Sequence, residues 1–235
     1  MTATFIASLT PHSVGRADNV ALYDAGVEGR QDRAVLIPVK AFADAKLRLS
    51  SVLAPDQRNA LARWTADRVV AAAGELPVFV ACDDPDVAKW ARDRGAVVLW
   101  HPGVGLNAAV TRSVEQLAQQ GIAHVAVVHG DLPRAHRLAD LMVPDSITLV
   151  PDAHRDGTNV VAVPSTLGFP FNYGAGSFHR HLALALASGR QVIVRRDPQL
   201  ARDIDTPDDL GHPLVEEVLP AWLQMNPVNL TPLTR

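Results

Sequence analysis

The run Ala123 to Val128, closed by His129-Gly130-Asp131-Leu132-Pro133, leaves few folds open to this chain. Almost all of its six residues are apolar, so it fits a strand covered on both faces, as in a parallel sheet. Pro133 has no N–H for a continuing ladder, so the strand stops at Gly130-Asp131. Asp131 then stands just past the carboxyl end of a central strand, the edge where open α/β sheets hold ligands. A carboxylate there, beside a glycine that admits close approach, suits a metal ion carrying phosphate. It suits equally a cap for a helix that begins near Arg134.

The stretches before and after repeat the same grammar. Ala34–Val39, Pro77–Ala81 and Ala96–Trp100 are short apolar runs that read as strands. Between them, 55–73 and 86–94 read as helices, the first with Pro55 in its opening turn. A third helix carries Leu106, Val110, Val114 and Leu117, and a further helix is expected over 134–142. Ile147–Val150, Val160–Val163 and Val192–Val194 supply three more strands. Strand and helix in alternation argue a doubly wound α/β sheet. Residues 1–32 show no periodicity and read as an N-terminal extension. The domain spans 33–213, and 214–235 form a tail in which Val215, Val218, Leu219 and Trp222 would lay a helix on the body.

Composition removes several function classes. With a net charge of −3, no general nucleic-acid surface is indicated. The single Cys82 allows neither an intramolecular disulfide framework nor a zinc pattern. No apolar run approaches a membrane span, and a cytoplasmic protein is the default.

Four further stretches carry candidate chemistry. Lys40, Lys46 and Arg48 place three cations after the first strand, a cradle for polyphosphate or a solvated basic turn. The loop lacks the glycines of a dinucleotide or Walker motif. Pro102-Gly103-Val104-Gly105-Leu106-Asn107 gives a tight turn and an Asn107 amide that fits either a base or ribose or a helix N-cap. Gly174-Ala175-Gly176-Ser177 opens a helix whose free N–H groups suit a phosphate, with Arg180 one turn on to pair with a carboxylate or phosphate. Asp203 and Asp205 alternate on an extended segment and so share a face. Asp208 and Asp209 fall in the first turn of the helix opened by Pro207 and read as caps.

Taken in order, Ile37-Pro38-Val39-Lys40 with Lys46-Leu47-Arg48-Leu49, Gly103-Val104-Gly105-Leu106-Asn107, Gly130-Asp131-Leu132-Pro133, Asp156-Gly157-Thr158-Asn159, Tyr173–Phe178 and Asp203–Leu210 resemble the 2-phospho-L-lactate/phosphoenolpyruvate guanylyltransferase family of deazaflavin coenzyme F-420 biosynthesis. The resemblance covers about 34–210. It implies a nucleotidyltransferase-like fold, a mostly parallel sheet flanked by helices with a small antiparallel element. It implies Mg²⁺ held by Asp131, Asp203 and Asp205, with Lys40, Lys46 and Arg48 at the triphosphate and Asn107 in the nucleotide pocket. Thr158, Gly174 and Ser177 would hold the acceptor. The implied reaction joins the GMP moiety of GTP to a small phosphorylated carboxylic acid, phosphoenolpyruvate or 2-phospho-L-lactate, and releases pyrophosphate. The rivals are a related enzyme whose acceptor is 3-phosphoglycerate, a sugar phosphate or molybdopterin, and a non-catalytic nucleotide-binding module. Phe5, Ile6, Leu9 and Tyr23 are candidates to dock on the domain or on a second subunit, so a homodimer stays open.

Overall fold

The computed structural model describes residues 32–224; the N-terminal extension up to residue 31 lies outside them. Seven strands form one sheet: β1 (Arg33–Pro38), β2 (Val78–Cys82), β3 (Val97–Trp100), β4 (His124–Val128), β5 (Ser146–Pro151), β6 (Thr158–Pro164) and β7 (Gln191–Val194). Their order across the sheet is β3-β2-β1-β4-β6-β5-β7. β1, β2, β3 and β4 pair in parallel, as do β5 and β7. Only β6 runs against its neighbours, β4 on one side and β5 on the other. The carboxyl ends of the six parallel strands therefore share one edge, and β6 presents its amino end, Thr158, there.

β4 shows why the run Ala123 to Val128 decides the fold. Val125, Ala126, Val127 and Val128 are all out of solvent contact. The period of two sends Ala126 and Val128 to one face, among Ala62, Ala66 and Val69 of α1 (Pro55–Ala72) and Val87 and Trp90 of α2 (Pro85–Asp93). Val125 and Val127 go to the other, against Val110, Val114 and Leu117 of α3 (Gly105–Gln119) and Ala185 of α4 (Ser177–Ala187). Each buried valine contributes about 1.5–3 kcal/mol, so a one-residue slip in register would be opposed from both faces. No helix among the described residues is long and apolar enough to cross a membrane.

A third cluster matters for the site. Leu49 and Leu53 pack with Leu61 of α1, Ile204, Leu210, Val215 and Leu223, joining the loop after β1, the 203–205 strap and the short helices α5 (Pro207–Leu210), α6 (Pro213–Glu216) and α7 (Ala221–Gln224).

One expected helix is absent. Over 134–142 the chain makes a turn and a single 3₁₀ turn, Leu138–Leu141. Arg137 adopts a left-handed backbone (φ 46°), which interrupts any helix, and the 3₁₀ spacing drops Leu138 and Leu141 together into the core. Arg134 is drawn away to the Leu214 carbonyl (3.2 Å) and Glu217 (2.6 Å). Asp131 consequently has no helix at Arg134 to cap.

Candidate active site

At the carboxyl edge of β1, β2 and β4 lies a cavity of about 690 Å³, walled by the 38–46 loop, Gly103, Gly105 and Leu106, and the His129-Gly130-Asp131 turn. Its size falls in the range of small-molecule sites.

Two loops bring the charges to its floor. In the first, Phe42 is buried edge-on against Trp90 (5.3 Å) under the Arg63 guanidinium, and Leu49 is buried in the third cluster. Lys46, between these anchors, takes a left-handed backbone (φ 58°, ψ 36°), a conformation that costs an ordinary residue about 1–2 kcal/mol. The anchors hold it there and aim its side chain, 6% exposed, at two carboxylates: Nζ donates to Asp131 Oδ2 (2.9 Å) and Asp205 Oδ1 (3.1 Å). In the second loop, Ile204 is buried and its N–H donates to the Asp131 carbonyl (3.3 Å), so Asp203 and Asp205 flank it on the opposite face. The Asp209 carboxylate fixes the strap by accepting from the Asp205 and Thr206 N–H groups and the Thr206 hydroxyl. The Asp209 cap is thus as the sequence suggested.

Asp131, Asp203 and Asp205 converge, each offering an oxygen within 4.8 Å of the others. Burial and the neighbouring Asp131 and Asp205 carboxylates push Asp203 up to about 7. Burial works to raise Asp131 as well, but Lys46 outweighs it and pulls the carboxyl below its usual range. Burial would lower the Lys46 ammonium, yet Asp131 and Asp205 hold it above the ordinary lysine value. Asp131 Oδ1 is out of solvent contact and has no hydrogen-bond partner among the described residues. An orphaned carboxylate oxygen at the meeting point of three acids fits a divalent cation bound through hard oxygen ligands.

The other predicted residues fall in three groups. Lys40 is exposed on the cavity wall with no hydrogen bond or ion pair among the described residues. Arg48 is 76% exposed and lies 3.7 Å from Asp205. Asn107 neither caps a helix nor faces the cavity freely. The cap of α3 is Val104, and the Asn107 amide binds the backbone of Tyr173, accepting from its N–H (2.7 Å) and donating to its carbonyl (3.4 Å).

The Gly174–Ser177 turn is likewise engaged with its own chain. Asp156 accepts from the N–H of Gly176 through its carboxylate (3.0 Å) and of Phe178 through its carbonyl (2.9 Å). The Ser177 N–H reaches the Gly174 carbonyl. The Ser177 hydroxyl, 2% exposed with its residue, donates to Thr158 Oγ1 at 3.4 Å. His181 completes the set: the Asn172 N–H donates to its Nε2, so Nδ1 carries the proton and donates to Thr158 Oγ1 (3.0 Å). Burial lowers this imidazole to about 4 and keeps it neutral. Arg180 folds back over the turn, donating to the Ala175 (2.6 Å) and Asn172 (3.2 Å) carbonyls. Thr158, Ser177 and Arg180 thus build one end of the site from behind, outside the residues that line the cavity.

His129 bridges the two parts, and the sequence reading passed it over. It lines the cavity two residues before Asp131, and its ring packs on Tyr173 (5.0 Å), which packs on His181 (4.8 Å). Its side chain makes no hydrogen bond among the described residues, and Nε2 and the Tyr173 hydroxyl are both buried without partners. Burial holds the imidazole below its ordinary range. The signal was available, since an extended i, i+2 spacing puts His129 and Asp131 on one side. Gly130 contributes less than expected: a Cβ there would point to the core and meet Ile37 and Val39 at 3.5 and 3.6 Å, ordinary contact distances.

Residues 33–217 match the family model described as guanylyl transferase CofC like. A phosphoenolpyruvate guanylyltransferase of Sphaerobacter thermophilus is 35% identical over 184 residues, 74% of this chain and 89% of that protein. One from Rubrobacter xylanophilus is 37% identical over 185 residues, covering 75% and 90%. Among solved structures, a putative nucleotide-diphospho-sugar transferase from Desulfovibrio desulfuricans superposes with a TM-score of 0.64 at 16% identity, over 77% of this chain and 85% of that one. CMP:2-keto-3-deoxy-manno-octonic acid synthetase in complex with CTP gives 0.52 at 13% identity, over 77% and 96%. These structural likenesses establish the nucleotidyltransferase-like fold, with its sheet mostly parallel and flanked by helices. Joined with the sequence matches, they make this chain an enzyme, a member of the CofC-like guanylyl transferase family.

Proposed function

We propose that the chain transfers the GMP moiety of GTP to phosphoenolpyruvate, or to a close analogue such as 2-phospho-L-lactate, for deazaflavin coenzyme synthesis in the cytoplasm. The observation that carries this reading is the orphaned Asp131 oxygen among three carboxylates, in a cavity whose lining also holds Lys40, unpaired among the described residues. Both substrates are anions, so acids alone would repel them. Asp131, Asp203 and Asp205 would hold Mg²⁺, which when bound screens the phosphates and orients them.

The chain's own groups then divide the work. An oxygen of the acceptor's phosphate forms the new bond to the α-phosphorus of GTP. The bond to the bridging oxygen breaks, and its electron pair leaves with pyrophosphate. A phosphate acceptor is already largely ionised near neutral pH, so no strong general base is required. Lys40 and Lys46 stabilise charge on the departing pyrophosphate, with Arg48 at the rim. His129 faces the acceptor, held by Tyr173, His181 and the Thr158–Ser177 pair, while Gly174 and Arg180 shape the turn behind.

Pyrophosphate release tests the reading, with GTP or ATP crossed against phosphoenolpyruvate, 2-phospho-L-lactate and 3-phosphoglycerate. Release with GTP and one of the first two acceptors is expected. Release with ATP alone, or with none of these acceptors, would refute it.

A further inference from the structure

The cavity lining holds two carboxylates that the reaction does not use, Asp44 and Asp83, and of these Asp83 alone also borders the narrower cleft beside Gly105 and Leu106. Asp83 follows β2 and lines the cavity on the side of Lys40, Gly105 and Leu106. It is exposed, and it has no hydrogen bond or ion pair among the described residues. Its neighbour Asp84 already caps α2, accepting from the Val87 N–H at 2.9 Å, so Asp83 is not needed for that purpose. A narrower cleft of about 60 Å³ runs on from this point, bordered again by Asp83, Gly105 and Leu106, with Ala109 and His101 beyond them. Its walls are mostly apolar, and His101 is tied to the Ser113 hydroxyl at 2.9 Å.

A free carboxylate is a poor neighbour for a triphosphate, which it repels. In a cavity that accepts a nucleotide it must face the uncharged part. A carboxylate offers two acceptors and no donor. The Watson–Crick edge of guanine offers two parallel donors, N1–H and N2–H, whereas adenine presents a lone pair at N1. We infer that Asp83 reads the guanine base, taking both donors in a bidentate pair, with the base lying along Leu106 over the Gly103–Gly105 turn. Asn107, whose amide is spent on Tyr173, would then hold the wall rather than read the base. Gly103 (φ 68°) and Gly105 (φ 74°) take left-handed conformations, and an added Cβ at either would meet nothing within 4 Å, which leaves the turn open to a flat ring. This inference rests on the guanylyl reading given above.

Nucleotide analogues test it without disturbing the protein. ITP lacks the N2 donors, so the wild-type chain should use it roughly tenfold less well than GTP in kcat/KM, the order expected when one of a charged pair of hydrogen bonds is lost. Asp83→Asn exchanges one acceptor for a donor, which suits xanthine, whose edge is N1–H and a carbonyl. The variant should lose about ten- to a hundredfold with GTP, bring GTP and ITP to near equality, and gain with XTP. An acid that merely favours the start of α2 would instead lower thermal stability slightly and affect every nucleotide alike. A wild type that uses GTP, with a GTP to ITP ratio unchanged in Asp83→Asn, overturns this inference alone. A wild type that transfers nothing from GTP overturns the reading beneath it.

Discussion

Lys46 occupies the position of a counterion, and removing it gives a sharp test of the site's electrostatics. Its ammonium lies 2.9 and 3.1 Å from two carboxylates. Each contact is worth about 5 kcal/mol at an effective dielectric of 20, before desolvation of the lysine cancels most of the gain. Breaking such a pair costs about 3–5 kcal/mol when fully buried. Here Asp131 and Asp205 keep 25% and 43% exposure, so the lower end applies, about 3 kcal/mol. For a chain of this size that lowers Tm by about 6–12 °C. Lys46→Met should show this loss in EDTA at about pH 8, where Asp203 is ionised as well. Mg²⁺ then replaces the missing charge, so the variant should gain more stability from Mg²⁺ than the wild type does. Turnover with Mg²⁺ should nonetheless fall, because the lysine cation facing the phosphates is gone. Thermal melts with and without Mg²⁺ decide the matter. A variant that melts within about 2 °C of the wild type in EDTA, or that gains no more from Mg²⁺, would refute the reasoning.

Four further outcomes follow from the same geometry. Asp203 is raised to about 7, so metal-free protein keeps it protonated below that value and metal must displace the proton; Mn²⁺ affinity, read by calorimetry, should weaken about tenfold for each unit below about pH 7 and level off above it. The same shift makes the metal-free fold lose stability as pH rises from about 4 to 7, the sign expected of an acid whose folded value is elevated. His129→Phe preserves ring packing on Tyr173 and removes the hydrogen-bonding atoms, so the acceptor's KM should rise about tenfold with KM for GTP nearly unchanged; equal changes in both would detach His129 from the acceptor. Ser177→Ala deletes a long 3.4 Å bond that reaches the site only through Thr158, and should cost about 1 kcal/mol of stability and only a few-fold in acceptor KM.

The parts of the fold that could be read in advance were those where a local pattern and the global packing agree. β4 needed little context, because a short run that is apolar at every position but His124 fits a strand covered on both faces. The Asp203–Asp205 alternation carried its meaning in the same local way. The failures come from residues whose partners lie far along the chain. The 134–142 segment has helical composition, but Arg134 is claimed by Leu214 and Glu217, and the left-handed Arg137 ends any helix. Asn107 is tied to Tyr173, 66 residues away, and Lys46 finds its carboxylates 85 and 159 residues on. The N–H groups expected at the start of α4 are met instead by Asp156, in a loop before β6. Spacing records none of these pairings, which is why His129 carries no role in the sequence and the Ser177 hydroxyl is expected at the acceptor, not on Thr158.

The most direct measurement follows the phosphorus atoms themselves. With GTP, phosphoenolpyruvate and Mg²⁺, ³¹P NMR should show a new diphosphate linking GMP to the acceptor and one pyrophosphate for each linkage formed. Asp131→Asn, folded to the same secondary structure, should lower the rate by a factor on the order of a thousand or more, since it removes charge beside two anions. Wild-type turnover in Asp131→Asn, or GTP hydrolysis with no diphosphate product, would contradict the account.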